Sequence, residues 1–247
     1  MAKIGWTGLE SAGKSQLMAV KATRVLARNE RWMKKRKKMG LETIPRTMAF
    51  DTPMSESFIS ACERIGVKYL FFYDLSEVLH LNQLDLFINE INKFFPARGS
   101  DPLTMQQAEF LSQAAKDGID IYFCTQDFSQ AHKQFRFLVN RIYYVVKVAG
   151  SRRPVLSAPP VRLIWGLCLI WSLAPSSFKG DNMSMRVQPW AIFPSFYFIN
   201  RYDTQLYDTS YKVRGTNLPP VYMALQKVIY LLPDGGIKEE KTRYVKR

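Results

Sequence analysis

The chain is poor in the residues that carry thiol and imidazole chemistry. Its three cysteines, Cys62, Cys124 and Cys168, are odd in number and far apart. That leaves no disulfide framework and no zinc-ligand spacing, and Cys124, inside an apolar run, reads as a small core hydrophobe. The two histidines, His80 and His132, stand alone, so neighbours in sequence assemble no Ser-His-Asp or Cys-His arrangement. Acidic residues are scarce beside basic ones: 21 Asp and Glu face 35 Lys and Arg, a net charge of +14. A surface of that sign suits a polyanionic partner, either nucleic acid or an anionic membrane surface. The most apolar run, Leu163–Ala174, LIWGLCLIWSLA, is too short for a spanning helix and reads as a buried strand. Met1 leads directly into a candidate strand, so no secretory leader is expected.

What is present is a phosphate-binding pattern. Residues 8–15 read Gly8-Leu9-Glu10-Ser11-Ala12-Gly13-Lys14-Ser15, a full match to G-x-x-x-x-G-K-[ST]. A short strand fits Ala2–Thr7 before it, and a helix fits Gln16–Arg28 after it, which is the context the pattern needs. Glycines allow a tight turn whose N–H groups point at phosphate oxygens, and the helix N-terminus adds partial positive charge. Lys14 would reach the β/γ phosphates and Ser15 would complete the shell of a Mg²⁺ ion. No [NT]-K-x-D guanine-reading pattern is evident, so ATP and GTP are not separated at this point.

The rest of the chain alternates. Asn29–Lys38, NERWMKKRKK, holds six basic residues in ten and would form a cationic face on a continued helix. Strands are expected at Thr47–Phe50, Lys68–Asp74, Leu84–Glu90 and Ile119–Thr125, with a turn at Asp51-Thr52-Pro53. Helices are expected at Ser55–Ile65, Met105–Lys116 and Ser129–Asn140. Buried strands alternating with helices imply an α/β fold with a mostly parallel central sheet covered on both faces. Beyond Gly150, prolines and aromatics suggest strands with irregular connections. The expected organisation is one domain over 1–232, with a motor core about 1–150 and a strand-rich extension about 151–232. A charged tail then covers 233–247.

Hydrolysis requires more than a cradle for phosphates. It needs a polar metal ligand, a carboxylate for the attacking water and positive charge for the transition state. Asn89-Glu90 closes an apolar strand, with Glu90 as the candidate catalytic carboxylate and Asn89, a neutral residue, on the metal side. Gln126, at the end of the next strand, can contact the γ-phosphate or the water. Arg136, Arg141 and Arg98 are candidates for an arginine supplied to a neighbouring subunit.

GLESAGKS, FINEINKFFPARG, GIDIYFCTQDFSQAHKQFRFLV and Leu206-Tyr-Asp208-Thr together resemble the zonula-occludens-toxin-like family of FtsK/HerA-type P-loop ATPases. The resemblance covers about residues 1–215. It implies a three-layer P-loop NTPase fold of the RecA/FtsK-HerA type, ATP and Mg²⁺ as cofactors, and a homo-oligomeric ring, hexameric or pentameric. Lys14 and Ser15 match its Walker A residues, Asn89-Glu90 its Walker B pair, Gln126 its strand-end glutamine and Arg136 the arginine after it. The activity implied is ATP hydrolysis that moves viral DNA, foremost genome packaging into a capsid, with Lys34–Lys38 and Arg152-Arg153 as grips. The alternatives are a filamentous-phage export ATPase and a slowly hydrolysing nucleotide-gated module. Expected partners are DNA and either a capsid vertex or membrane-associated virion proteins. The expected setting is the host cytoplasm or virion, with peripheral membrane attachment as a further option.

Overall fold

The computed structural model describes residues 2–10, 12–97, 103–150, 164–179, 182–187, 194–200, 206, 222–224, 227–231 and 237–241. It divides into two compact units, Met1–Thr209 and Ser210–Arg247. In the first unit the order is β1 (Lys3–Thr7), α1 (Lys14–Lys38), β2 (Thr47–Phe50), α2 (Glu56–Ile65), β3 (Lys68–Phe71) and β4 (Leu84–Ile88). There follow α3 (Ile91–Phe94), α4 (Met105–Gln113), β5 (Asp120–Thr125), α5 (Lys133–Leu138), β6 (Arg141–Gly150), β7 (Ile164–Lys179), β8 (Asn182–Val187) and β9 (Ser195–Asn200). One sheet runs β3-β2-β4-β5-β1-β6-β7-β8, with β9 also on β7. Pairing is parallel from β3 through β6 and antiparallel where β7 joins β6, β8 and β9.

Strand alternation splits the core between two faces. Met48, Phe50, Phe87, Tyr122 and Cys124 point to the side covered by α1 and α2. Ala49, Leu86, Ile88, Ile121 and Phe123 point to the side of α3, α4 and α5. On the α1 side Phe50 stacks on Phe87 at 4.6 Å, and Phe87 on Tyr122 at 4.8 Å, a ring ladder across β2, β4 and β5. The result is the three-layer P-loop NTPase architecture with a mostly parallel sheet.

α1 does continue through the basic stretch to Lys38, as expected of a continued helix. Several boundaries differ from those read in the sequence. The expected Ser129–Asn140 helix is instead a 3-10 turn at Phe128–Gln130 and a short α5. Asp127 captures the N–H and hydroxyl of Ser129, and the His132 ring accepts from the Gln134 N–H, so local caps divide the segment. β6 was not foreseen. Leu163–Ala174 does lie mostly in a strand, β7, but within Leu167–Leu173 only Cys168 is fully buried. No helix among the described residues is long and apolar enough to cross a membrane.

The second unit contains β10 (Tyr222–Ala224), β11 (Lys227–Leu231) and β12 (Ile237–Lys241), joined antiparallel. β12 lies where the charged tail was expected.

Candidate nucleotide site

Order in the sheet determines what meets at its edge. β5 lies between β1 and β4, and Thr7 is level with Thr125 across β1 and β5. The segments after β1, β4 and β5 therefore emerge side by side at the carboxyl ends of the strands, where α/β sheets take ligands. Thr7 Oγ1 donates to the Gln126 carbonyl at 3.3 Å, which ties the start of the phosphate loop to the end of β5.

The loop needs its glycines. Gly8 has φ +148, and a Cβ there would stand 2.4 Å from the Val145 carbonyl oxygen on β6. Gly13 has φ +87 and serves as N-cap of α1 without a side-chain hydrogen bond, and the first turn holds no acidic residue. The N–H groups at this helix start therefore face outward with positive partial charge, suited to an anion. Behind Gly13 lie Cys168 of β7 and Ile199 of β9, 3.2 and 3.7 Å from where a Cβ would sit. The antiparallel extension thus supports the loop from beneath. Leu9, 79% exposed, stands at its tip. Lys14 donates to the Gly8 and Leu9 carbonyls at 2.7 and 2.6 Å. Burial pushes its ammonium below the ordinary lysine range, against the opposing fields of Glu10 and Glu90. Ser11 lies outside the described residues.

Glu90 follows β4 with only Asn89 between and occupies the N-cap position of α3, yet its side chain caps nothing. Its carboxylate is half-exposed and pairs with Lys93 at 3.3 Å, and its field reaches Lys14. Asn89 is held from below. Its N–H donates to both oxygens of Asp51 at 2.8 and 2.9 Å, while its own Oδ1 is buried without a partner. Asp51 follows β2 and also accepts from the Thr52 hydroxyl at 3.1 Å. Its burial pushes the carboxyl up to about 6. Sequence reading took Asp51 for a turn residue; its signal was an acidic side chain immediately after a buried strand beside β4.

Gln126 is exposed at the same edge. Arg136 is not gathered there. It lies on α5, where the chain returns toward the opposite edge and Asn140 binds the Lys3 N–H; its Nε is buried without a partner. Arg141 opens β6 at that far edge, beside Ile4. Arg98 and Arg152-Arg153 lie outside the described residues. Lys34–Lys38 stand at the far end of α1, about 30–36 Å along the helix from its start at a rise of about 1.5 Å per residue.

Among the described residues no three His, Cys, Asp or Glu side chains cluster to hold a metal. The donors that do lie here, Ser15 and the unsatisfied Asn89 Oδ1, are neutral oxygens. They fit Mg²⁺, which takes oxygen ligands and leans on the substrate's phosphates.

Residues 7–151 match the family model of zonular occludens toxin (Zot), more than half of the 247-residue chain. Among solved structures, the N-terminal domain of zonular occludens toxin from Neisseria meningitidis is similar at 15% identity and TM-score 0.42, covering 84% of this chain and all of that one. The genome packaging NTPase B204 from Sulfolobus turreted icosahedral virus 2 is similar at 13% identity and TM-score 0.37, over 76% of this chain and 96% of that one. The flagellar accessory protein FlaH from Methanocaldococcus jannaschii shares 12% identity at TM-score 0.38, over 97% and 89%. No curated protein sequence matches the chain.

Proposed function

Because the chain belongs to the zonular occludens toxin (Zot) family, we propose that it is a P-loop ATPase that couples hydrolysis to moving viral DNA, foremost into a capsid. The observation that carries the catalytic half is the meeting, at one sheet edge, of the uncapped start of α1, the Lys14 ammonium and the Glu90 carboxylate. Net charge of +14 supports a polyanionic track.

In this reading the loop N–H groups from Gly8 to Ser15 hold the triphosphate. Lys14 leaves the Gly8 and Leu9 carbonyls for the β and γ phosphates. Ser15 and Asn89 would hold Mg²⁺, which would supply neutralisation of the phosphate charge. Glu90, freed from Lys93, orients the attacking water and accepts its proton, and Gln126 contacts the γ-phosphate end. Arg136, placed away from the loop of its own subunit, serves a neighbour in a hexameric or pentameric ring, where it offsets transition-state charge. The catalytic core of this reading lies within the first unit, Met1–Thr209.

The test is steady-state ATPase activity with and without DNA. Glu90→Gln is expected to bind ATP as the parent does while turnover falls about 10²–10⁴-fold. Parental turnover in that variant removes Glu90 from the mechanism, and absence of turnover in the parent leaves a nucleotide-gated module. A second reading, virion export at a membrane, is favoured by the apolar side chains exposed around the far end of α1.

A further inference from the structure

The last stretch of α1 is built unlike the rest of the helix. From Leu17 to Asn29 it buries a regular face, but from Glu30 to Lys38 no side chain is buried. Arg31, Lys34, Lys35, Arg36, Lys37 and Lys38 crowd this end, and Glu30 is already paired with Lys34 at 2.6 Å. Trp32, Arg36 and Met39 follow one line at i, i+4 and i+7, and the Arg36 guanidinium lies 4.9 Å over the Trp32 ring. The chain then folds back. Leu41 N–H donates to the Arg36 carbonyl at 3.1 Å, and Arg36 Nε donates to the Glu42 carbonyl at 2.8 Å. That return leaves Met39 at 58%, Leu41 at 44% and Ile44 at 53% exposure, and Trp32 on the same helix end is 41% exposed.

We propose that this tip, the Arg31–Lys38 cations with Trp32, Met39, Leu41 and Ile44 among them, is a docking surface for an anionic lipid bilayer. Cations alone suit any polyanion. The apolar side chains decide between them, because they gain by entering the boundary between headgroups and acyl chains, whereas a phosphate backbone offers them nothing. Trp32 is also a poor platform for a nucleobase, since one face of its ring already carries Arg36. The tip lies at the edge of the sheet away from the nucleotide loop. Arg28 and Asn29, just before it, bind Asp85 and Asp120, which lie near the starts of β4 and β5. Docking therefore leaves the nucleotide edge open, and the assignment holds whether or not the chain hydrolyses ATP.

The experiment is cosedimentation of the full chain with vesicles of phosphatidylcholine alone and of phosphatidylcholine mixed with phosphatidylglycerol, with duplex DNA titrated in parallel. Binding is expected to be at least about tenfold stronger to the anionic vesicles and to weaken at about 0.5 M salt. Reversing the cations together (Lys34→Glu, Lys35→Glu, Lys37→Glu, Lys38→Glu) is expected to abolish it, with helix content by circular dichroism unchanged. The variant Met39→Ser, Leu41→Ser, Ile44→Ser keeps every cation and is expected to lose about tenfold or more. Equal binding to neutral vesicles, undiminished binding in the charge-reversed chain or full binding in the serine variant overturns the proposal. So does a charge-reversed chain that loses duplex DNA while the parent never binds vesicles, which makes the tip a nucleic-acid grip.

Discussion

Asp51 shows how a residue with no motif of its own can govern a site. Both of its oxygens accept from the Asn89 N–H, so it fixes the turn that presents Glu90. Its burial lifts the carboxyl to about 6, against about 3.9 in an unfolded chain. The native state keeps the proton where the unfolded state has lost it. This group's contribution to stability is therefore full below about pH 4 and is lost as pH rises to about 6. Urea denaturation across that range is expected to show the parent losing stability relative to Asp51→Asn as pH increases. Lys3 has the opposite sign. Its ammonium is buried, donates to the Leu111 carbonyl at 3.3 Å, and is pushed down to about 8 by desolvation. Lys3→Met is expected to stabilise the chain at neutral pH by about 1 kcal/mol, read as a higher urea midpoint. The advantage shrinks above pH 8, where the native lysine sheds its proton. Neither behaviour is visible in the sequence, because desolvation depends on what covers a side chain.

For an element, α1 is the clearest case. Its first half is fixed by an amphipathic pattern, and its anchoring comes from charges distant in sequence. Asp85, fully buried, accepts from Arg46 Nε at 2.9 Å and Nη2 at 3.1 Å, from Asn29 Nδ2 at 2.9 Å and from Arg28 Nη2 at 3.2 Å. Asp85→Ala leaves those donors facing an apolar gap and is expected to cost about 3–5 kcal/mol. Chemical denaturation measures the loss, while nucleotide affinity at the other edge stays within error below the unfolding transition. Sequence reading saw Leu84–Glu90 only as an apolar run ending in polar residues. Its strand type was legible, but the partners of its one internal aspartate lie 39 to 57 positions away. The break between the 3-10 turn and α5 was equally hidden, since Asp127 and His132 act there as caps only once the neighbouring backbone bends.

Across the whole first unit, the parallel sheet and its antiparallel extension do different work. The parallel strands bring the loop, Glu90 and Gln126 to one edge, while β7 and β9 stiffen the loop from behind through Cys168 and Ile199. Ile199→Ala opens a space beneath Gly13 and is expected to cost about 2–4 kcal/mol. Part of that loss is expected to appear as weaker binding of a non-hydrolysable ATP analogue by calorimetry. Equal affinity with lowered thermal stability assigns Ile199 to packing alone. The family model ends at residue 151, so this support comes from a part of the chain the family match does not include.

The amino-acid order alone determined the phosphate loop, the alternation of strands with helices and the sign of the surface charge. Each is written in local spacing, where chirality, side-chain period and composition act over a few residues. Only the tertiary structure decided that β5 lies between β1 and β4, that Asp51 supports Asn89 from beneath, and that the cations of α1 end far from the site. These depend on which strands pair across long separations, and pairing is chosen by burial of two whole sheet faces.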